Sequence, residues 1–208
     1  MFLFDAPLTF KESMTERVSL ADISRAVGQF ISGRRDVVVF GAHAVNRYVD
    51  EARMTSDIDV LSTDAEALAY ELRAHLAKTF YIAVRVRSMT KAGAGFRVYQ
   101  VTGSKNRSLV DVRQETRLPA FTTAHGVRFV EPITLLAMKV RSYAARKNQI
   151  KGDTDRADIR RLLAKFPKLR KLSGEVAAKL ASDGASPSTL EIWYAFVKER
   201  LDKDSDDY

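Results

Sequence analysis

Hydrophobic positions recur every second residue or in short runs over the first part of the chain, and every third or fourth residue over the rest. Leu20, Ile23, Val27, Phe30 and Ile31 share one helical face that ends at Gly33, and residues 1–16, which show little periodicity, are expected to be a partly ordered arm. Val37-Val38-Val39-Phe40 is an apolar run of strand length, Gly41-Ala42 is a turn, and a short helix follows. Asp57 and Asp59 then alternate with Ile58 and Val60 in a second strand. Thr63-Asp64-Ala65-Glu66 fits a capping box that opens a helix over 65–78, with Leu68, Leu72 and Leu76 on one side. Residues 81–87 alternate, with Ile82, Val84 and Val86 on one face and Arg85 and Arg87 on the other.

Hairpin connections are expected at 91–95, leading into a strand over 96–101, and at 103–107, leading into a strand over 109–113. A last short hairpin, 121–123 with 127–130, surrounds Ala124-His125-Gly126. The period changes at Glu131-Pro132, and helices are expected over 133–148, 153–166, 168–182 and 188–202, before a polar tail at 203–208. The fold class is therefore α+β: a mixed β-sheet core with flanking helices over 1–130, and a C-terminal helical bundle over 131–208.

Composition narrows the setting. With 208 residues, 46% hydrophobic and 29% charged, the chain reads as an ordinary soluble globular protein. It has no cysteine, so it can build neither a disulfide framework nor a thiolate zinc site, which suits a reducing cytoplasm. The apolar start Met1-Phe2-Leu3-Phe4 is stopped by Asp5, and no run approaches a membrane span, so a cytoplasmic location without a membrane partner is expected.

The net charge is +8, and it is concentrated in one place. Between Lys139 and Lys171 twelve basic residues meet three acidic ones, whereas the rest of the chain is close to neutral. A localised basic face is what a polyanion needs. Arg141, Lys147, Lys151, Arg160 and Arg161 are its candidate nucleic-acid contacts.

The candidate chemistry lies in the aspartates. Asp57 and Asp59 are two residues apart on a strand, roughly 7 Å at the backbone from its rise per residue, and share a face from which both carboxylates can converge on a hard divalent cation. A third strand-borne aspartate, Asp111, sits in Leu109-Val110-Asp111-Val112. Further on, Lys139, Tyr143 and Arg146 share a helical face, and Asp155 and Asp158 follow on the next helix, one turn before Ile159 and Leu162, where they can lean toward an inter-domain cleft. His43, with no second histidine at ligand spacing, reads as a helix-start residue.

This combination resembles the polymerase-β-like nucleotidyltransferase superfamily, with its hydrophobic strand, small-residue turn, Asp-x-Asp and distant third carboxylate. Over about 37–165, the run Gly41-Ala42, Arg53-x-Thr55-x-Asp57-Ile58-Asp59, Lys139-x6-Arg146 and Asp155-x2-Asp158-Ile159 resembles the AbiEii-type nucleotidyltransferases, which include the MenT toxins of toxin–antitoxin pairs. The chain departs in carrying Gly41-Ala42 where Gly-Gly or Gly-Ser is common, and Asp111 is matched through the superfamily pattern.

The resemblance implies transfer of a nucleoside monophosphate from an NTP to an RNA acceptor, notably a tRNA 3′ end, with Mg²⁺ or Mn²⁺ as cofactor and an antitoxin as protein partner. Asp57, Asp59 and Asp111 would be metal ligands and catalytic residues, with Lys139, Asp155 and Asp158 completing the catalytic set. Gly41, Ala42, Ser56, Lys139 and Arg146 would bind the nucleotide, and Arg53 and Thr55 would have orienting and structural roles. Two alternatives stand beside this expectation. An antibiotic-type small-molecule nucleotidyltransferase would prefer an acidic acceptor cleft, against which the basic segment argues. A non-catalytic RNA- or partner-binding module on this fold would not need the carboxylate set.

Overall fold

Several helices begin where a short polar side chain accepts a backbone amide of the first turn. In the computed structural model, which describes residues 17–89, 94–102 and 105–201, the Ser19 hydroxyl accepts the Asp22 amide at 3.1 Å and caps α1 (Leu20–Ile31). There follow β1 (Val37–Phe40), α2 (Gly41–Tyr48), β2 (Ile58–Ser62), α3 (Ala65–Phe80), β3 (Val84–Ser88), β4 (Gly95–Thr102) and β5 (Lys105–Gln114). The chain ends in β6 (Phe121–Ala124), β7 (Val127–Val130), α4 (Pro132–Arg146), α5 (Ile150–Lys165), a 3₁₀ turn (Pro167–Leu169), α6 (Glu175–Ser182) and α7 (Pro187–Lys198). Among the described residues no helix is long and apolar enough to cross a membrane.

The strands form one seven-stranded sheet in the order β3-β4-β5-β2-β1-β7-β6, with β2 parallel to β5, and β4 antiparallel to both β5 and β3. A mixed sheet with flanking helices followed by a helical segment is the α+β class expected from the periodicity. The chain divides into two compact units, Met1–Val39 with Met54–Leu118 and Thr123–Arg128, and Phe40–Arg53 with Pro119–Thr122 and Phe129–Tyr208.

In the first unit, α3 packs on β2, β3, β4 and β5 and against α1. Leu68, Leu72 and Leu76 are fully buried, as their spacing predicts. The cap differs from the expected one: Asp64, not Thr63, precedes the helix and accepts the Ala67 amide at 3.2 Å. The helix also runs longer, and the chain leaves it through Tyr81 in the left-handed region (φ 53°), so β3 starts at Val84 rather than at 81. β5 begins at Lys105, before the apolar stretch at Leu109, because ladder pairs such as Val101 with Asn106 are made by the backbone and need no apolar side chain. A register shift between Val98 and Tyr99 bends this pairing.

The second unit has α4 at its centre, in contact with α2, α5, α6 and α7. Leu135, Leu136, Val140, Ile159, Leu162, Val176, Leu180 and Trp193 are buried there. Gly152 allows α5 to start close to the end of α4, since a Cβ at that position would lie 2.3 Å from the Arg146 carbonyl oxygen. The helix expected from 168 starts only at Glu175, because Pro167 opens a 3₁₀ turn and the extended Gly174 precedes the new helix. The last helix ends at Lys198 rather than 202. The expected arm at 1–16, the tail at 203–208, and most of the 91–95 connection, with Gly103 and Ser104, lie outside the described residues.

Tyr81 is 74% exposed and pays the left-handed backbone strain without a packing return. Tyr81→Gly is expected to stabilise the protein by about 0.5–1 kcal/mol, the removed strain being partly offset by glycine's greater unfolded-state freedom. A urea-unfolding midpoint that does not rise would contradict this.

Candidate functional site

In the first unit, the parallel pairing of β2 and β5 sets Asp59 directly opposite Asp111. Residues in register on neighbouring strands point to the same face, and their Cα atoms are about 4.8 Å apart. Asp57, two residues before Asp59, has the same parity and lies just ahead of the strand. Its carboxylate accepts from the Ser56 hydroxyl at 3.2 Å, and its carbonyl accepts from the Thr55 hydroxyl at 3.2 Å. Ile58 with Val110, and Val60 with Val112, form the buried pairs on the opposite face. Asp59 and Asp111 thus share one face of two adjacent strands, whereas Asp57, expected on the strand, lies in the bend that precedes it.

Asp111 is 4% exposed, and both of its oxygens are taken. Arg97, its register partner on β4, donates from Nε to Oδ1 and from Nη2 to Oδ2. The Ser108 hydroxyl adds a bond to Oδ1 at 3.2 Å. The bonds to Asp111 raise the Arg97 pKa above its usual value despite the opposing effect of burial. Arg87 on β3 is opposite Arg97, so the row Asp59, Asp111, Arg97, Arg87 crosses four strands. Arg87 and Arg97 both lie 6.0 Å from the Tyr99 ring centroid.

Carboxylate oxygens are the right donors for a hard divalent ion. Among the described residues, however, no three His, Cys, Asp or Glu side chains are gathered to hold one. Asp57 and Asp59 have the required chemistry, but Asp111, as the structure presents it, is committed to Arg97.

In the second unit, Gly41 opens α2 with φ +66°, a backbone conformation that favours glycine, and Ala42 beside it is buried. Lys139 of α4 is 7% exposed and reaches two carboxylates of α5, Asp155 at 3.2 Å and Asp158 at 2.7 Å. Arg146 donates to Asp155 from Nε at 2.7 Å and makes a second contact from Nη2 at 2.6 Å. Arg53 binds Asp158 with two nitrogens, at 2.8 and 2.9 Å, and Arg161 Nη1 lies 3.8 Å away. Asp158 is fully buried. Burial works against its ionisation, but the hydrogen bonds and charges of Arg53 and Lys139 outweigh it and lower its pKa below 3.8.

Lys139, Arg146, Asp155 and Asp158 are therefore brought together in one network, whereas Tyr143 packs edge-on against Phe196, 5.3 Å between centroids. Arg141, Lys147 and Lys151 are exposed. Arg141 and Lys147 line one surface cavity, and Arg160 and Arg161, with Arg156, line another. Two participants escape sequence reasoning. Asn46 exchanges two hydrogen bonds with the Arg53 backbone, at 2.8 and 3.1 Å, and so fixes where that arginine starts. Arg97 gave only one signal, its place among the polar-parity positions of an alternating strand.

No protein-family profile matches the sequence, and no curated protein matches it. Solved structures do. The Megavirus polyadenylate synthase is similar over 76% of this chain, with 14% identity and a TM-score of 0.59, and the chain spans 34% of that protein's length. A Helicobacter pylori protein described as a nucleotidyltransferase is similar over 86% of this chain and 91% of its own, with 13% identity and a TM-score of 0.50. The Mycobacterium tuberculosis nucleotidyltransferase toxin MenT4 matches over 62% of this chain and 60% of its own, with 15% identity and a TM-score of 0.38, too low to carry the toxin assignment. The fold is that of nucleotidyltransferases.

Removing the charge of Asp158 leaves Arg53 without its buried counter-ion and Lys139 with only Asp155. Asp158→Asn is expected to cost about 3–5 kcal/mol in denaturant unfolding at neutral pH. Because the folded pKa of Asp158 is lowered, its stabilisation is complete above the unfolded value of 3.8 and is lost as the pH falls through the folded pKa. The gap between wild type and variant should therefore close on acidification below about pH 4. A gap that does not change with pH would assign the loss to packing instead.

Proposed function

We propose that this chain is a metal-dependent nucleotidyltransferase that moves an NMP from an NTP to an RNA acceptor, with a tRNA 3′ end as the preferred acceptor. The observation that carries the proposal is the register of Asp59 with Asp111, with Asp57 in the bend two residues upstream. An Asp pair and a third carboxylate on adjacent strands suit phosphoryl transfer, where catalysis is positioning and charge compensation. The nucleotidyltransferase fold supports the reaction class. The RNA acceptor rests on the basic segment 139–171. The toxin role and an antitoxin partner rest on the sequence resemblance alone.

In this proposal Asp57 and Asp59 hold a divalent ion, Mg²⁺ or Mn²⁺, which when bound neutralises phosphate charge. Asp111 is the third carboxylate toward that ion and accepts the proton of the acceptor hydroxyl as the hydroxyl oxygen attacks the α-phosphorus. The new P–O bond forms as the bond to the β-phosphate bridge breaks, and pyrophosphate leaves. The small residues Gly41 and Ala42 at the start of α2, together with Lys139 and Arg146, are the phosphate-binding groups we assign to the second unit. Asp155 and Asp158 act as positioning residues: they fix the ammonium of Lys139 and the guanidinium groups of Arg146 and Arg53.

The test is incubation of the purified chain with total tRNA, Mg²⁺ and each labelled NTP in turn. Label is expected in tRNA with at least one NTP, none with Asp57→Ala/Asp59→Ala, and a rate about 10²–10⁴-fold lower with Asp111→Asn. No incorporation with any NTP would overturn the tRNA acceptor, and no pyrophosphate release with any RNA would overturn the transferase.

A further inference from the structure

The row Asp59, Asp111, Arg97, Arg87 places two acidic and two basic side chains in sequence across one sheet face. At its centre, Arg97 supplies to Asp111 what a bound cation would supply: positive charge on both carboxylate oxygens. Asp111 is nearly buried and bonded through both oxygens to Arg97, so Arg97 cannot leave unless another cation takes its place. Arg97 itself is about a third exposed and borders Tyr99, and Arg87, which is exposed, lies at the same 6.0 Å from that ring. Two guanidinium groups around one aromatic ring make a surface suited to single-stranded nucleic acid: phosphates pair with the arginines and a base stacks on the ring.

We infer that Arg97 is a latch on Asp111, released when a single-stranded RNA phosphate docks on Arg87, Arg97 and Tyr99. Without RNA, Arg97 holds Asp111 and the third carboxylate is withheld from a metal ion. With RNA and a metal ion, the guanidinium exchanges a carboxylate for a phosphodiester while the ion takes its place at Asp111. Each charge keeps a partner only when both arrive, so the exchange couples RNA docking to metal binding. The inference rests on the proposed role of Asp57, Asp59 and Asp111, and it makes the acceptor, rather than the nucleotide, the signal that completes the carboxylate set.

The experiment is a Mn²⁺ titration of the full chain followed by electron paramagnetic resonance, with and without a twelve-nucleotide single-stranded RNA and with no NTP present. The RNA's own Mn²⁺ binding is subtracted from a protein-free titration. Wild type is expected to bind Mn²⁺ at least tenfold more tightly with RNA than without it. Arg97→Gln is expected to bind Mn²⁺ tightly in both conditions, so that RNA changes its affinity less than threefold. Should Arg97→Gln unfold, Arg87→Ala tests the same exchange from an exposed position, and the RNA-driven tightening is expected to fall at least fivefold.

The latch is overturned if RNA leaves the wild-type Mn²⁺ affinity unchanged, or if folded Arg97→Gln shows the wild-type response. Tightening that persists in full in Arg87→Ala overturns the docking surface. A non-hydrolysable NTP that produces the tightening when RNA does not overturns the assignment to the acceptor. Because none of these readouts needs turnover, a chain that transfers no nucleotide but shows the Arg97-dependent tightening would refute the proposed reaction and leave the latch standing.

Discussion

The parallel pairing of β2 with β5 is the constraint on which the acidic face depends. A shift of one residue in that register would turn Asp111 to the face opposite Asp59. What prevents it lies on the other side of the sheet. Ile58 and Val60 pair with Val110 and Val112, all buried, and the leucine ridge of α3 is packed in the same unit. Burying these side chains stabilises the fold by roughly 1.5–3 kcal/mol each, and an off-register pairing would forfeit much of it. The polar chemistry is thus held in place by apolar atoms that take no part in it.

The second unit solves a different problem. It buries two carboxylates three residues apart on α5, which is costly unless each is fully paired. Lys139 stands between them, Arg146 closes on one and Arg53 on the other. Such a network does not add much net stability, but it admits few alternative packings, because every displacement leaves a buried charge unmatched. The close approach of α5 to the Arg146 carbonyl, permitted by Gly152, brings the end of α4 within reach of Asp155.

Much of this was legible in the sequence, for identifiable reasons. The apolar run Val37–Phe40 and the Asp57-Ile58-Asp59-Val60 alternation were enough to assign both strands, although the second starts only at Ile58 and leaves Asp57 in the preceding bend. The leucines of α3 and the apolar spacing of α1 do the same for the helices. The extra length of β5 at Lys105–Ser108 was not legible, because ladder hydrogen bonds belong to the backbone and leave no mark on side-chain composition. The late start of α6 was hidden because the residues after Pro167 keep a helical composition. Arg97 was not singled out from the sequence, because what marks it is its cross-strand partner, and register is a tertiary property. For Asp155 and Asp158, their helical spacing was visible, but their complete burial and their arginine partners were not.

The network around Lys139 also bears on how such a chain can change. Asp158 serves Arg53 and Lys139 together, Lys139 serves Asp155 and Asp158 together, and Asp155 serves Lys139 and Arg146 together, so the three central members each have two clients. A neutral residue arriving at any one of these positions strands the others before a compensating change can appear. Variation there is accessible only through coordinated replacements, whereas the exposed lysines and arginines of the same helices can be exchanged one at a time. Sequence drift in this unit should therefore be rapid on the surface and nearly arrested at these five charged positions, for reasons of pathway rather than of chemistry.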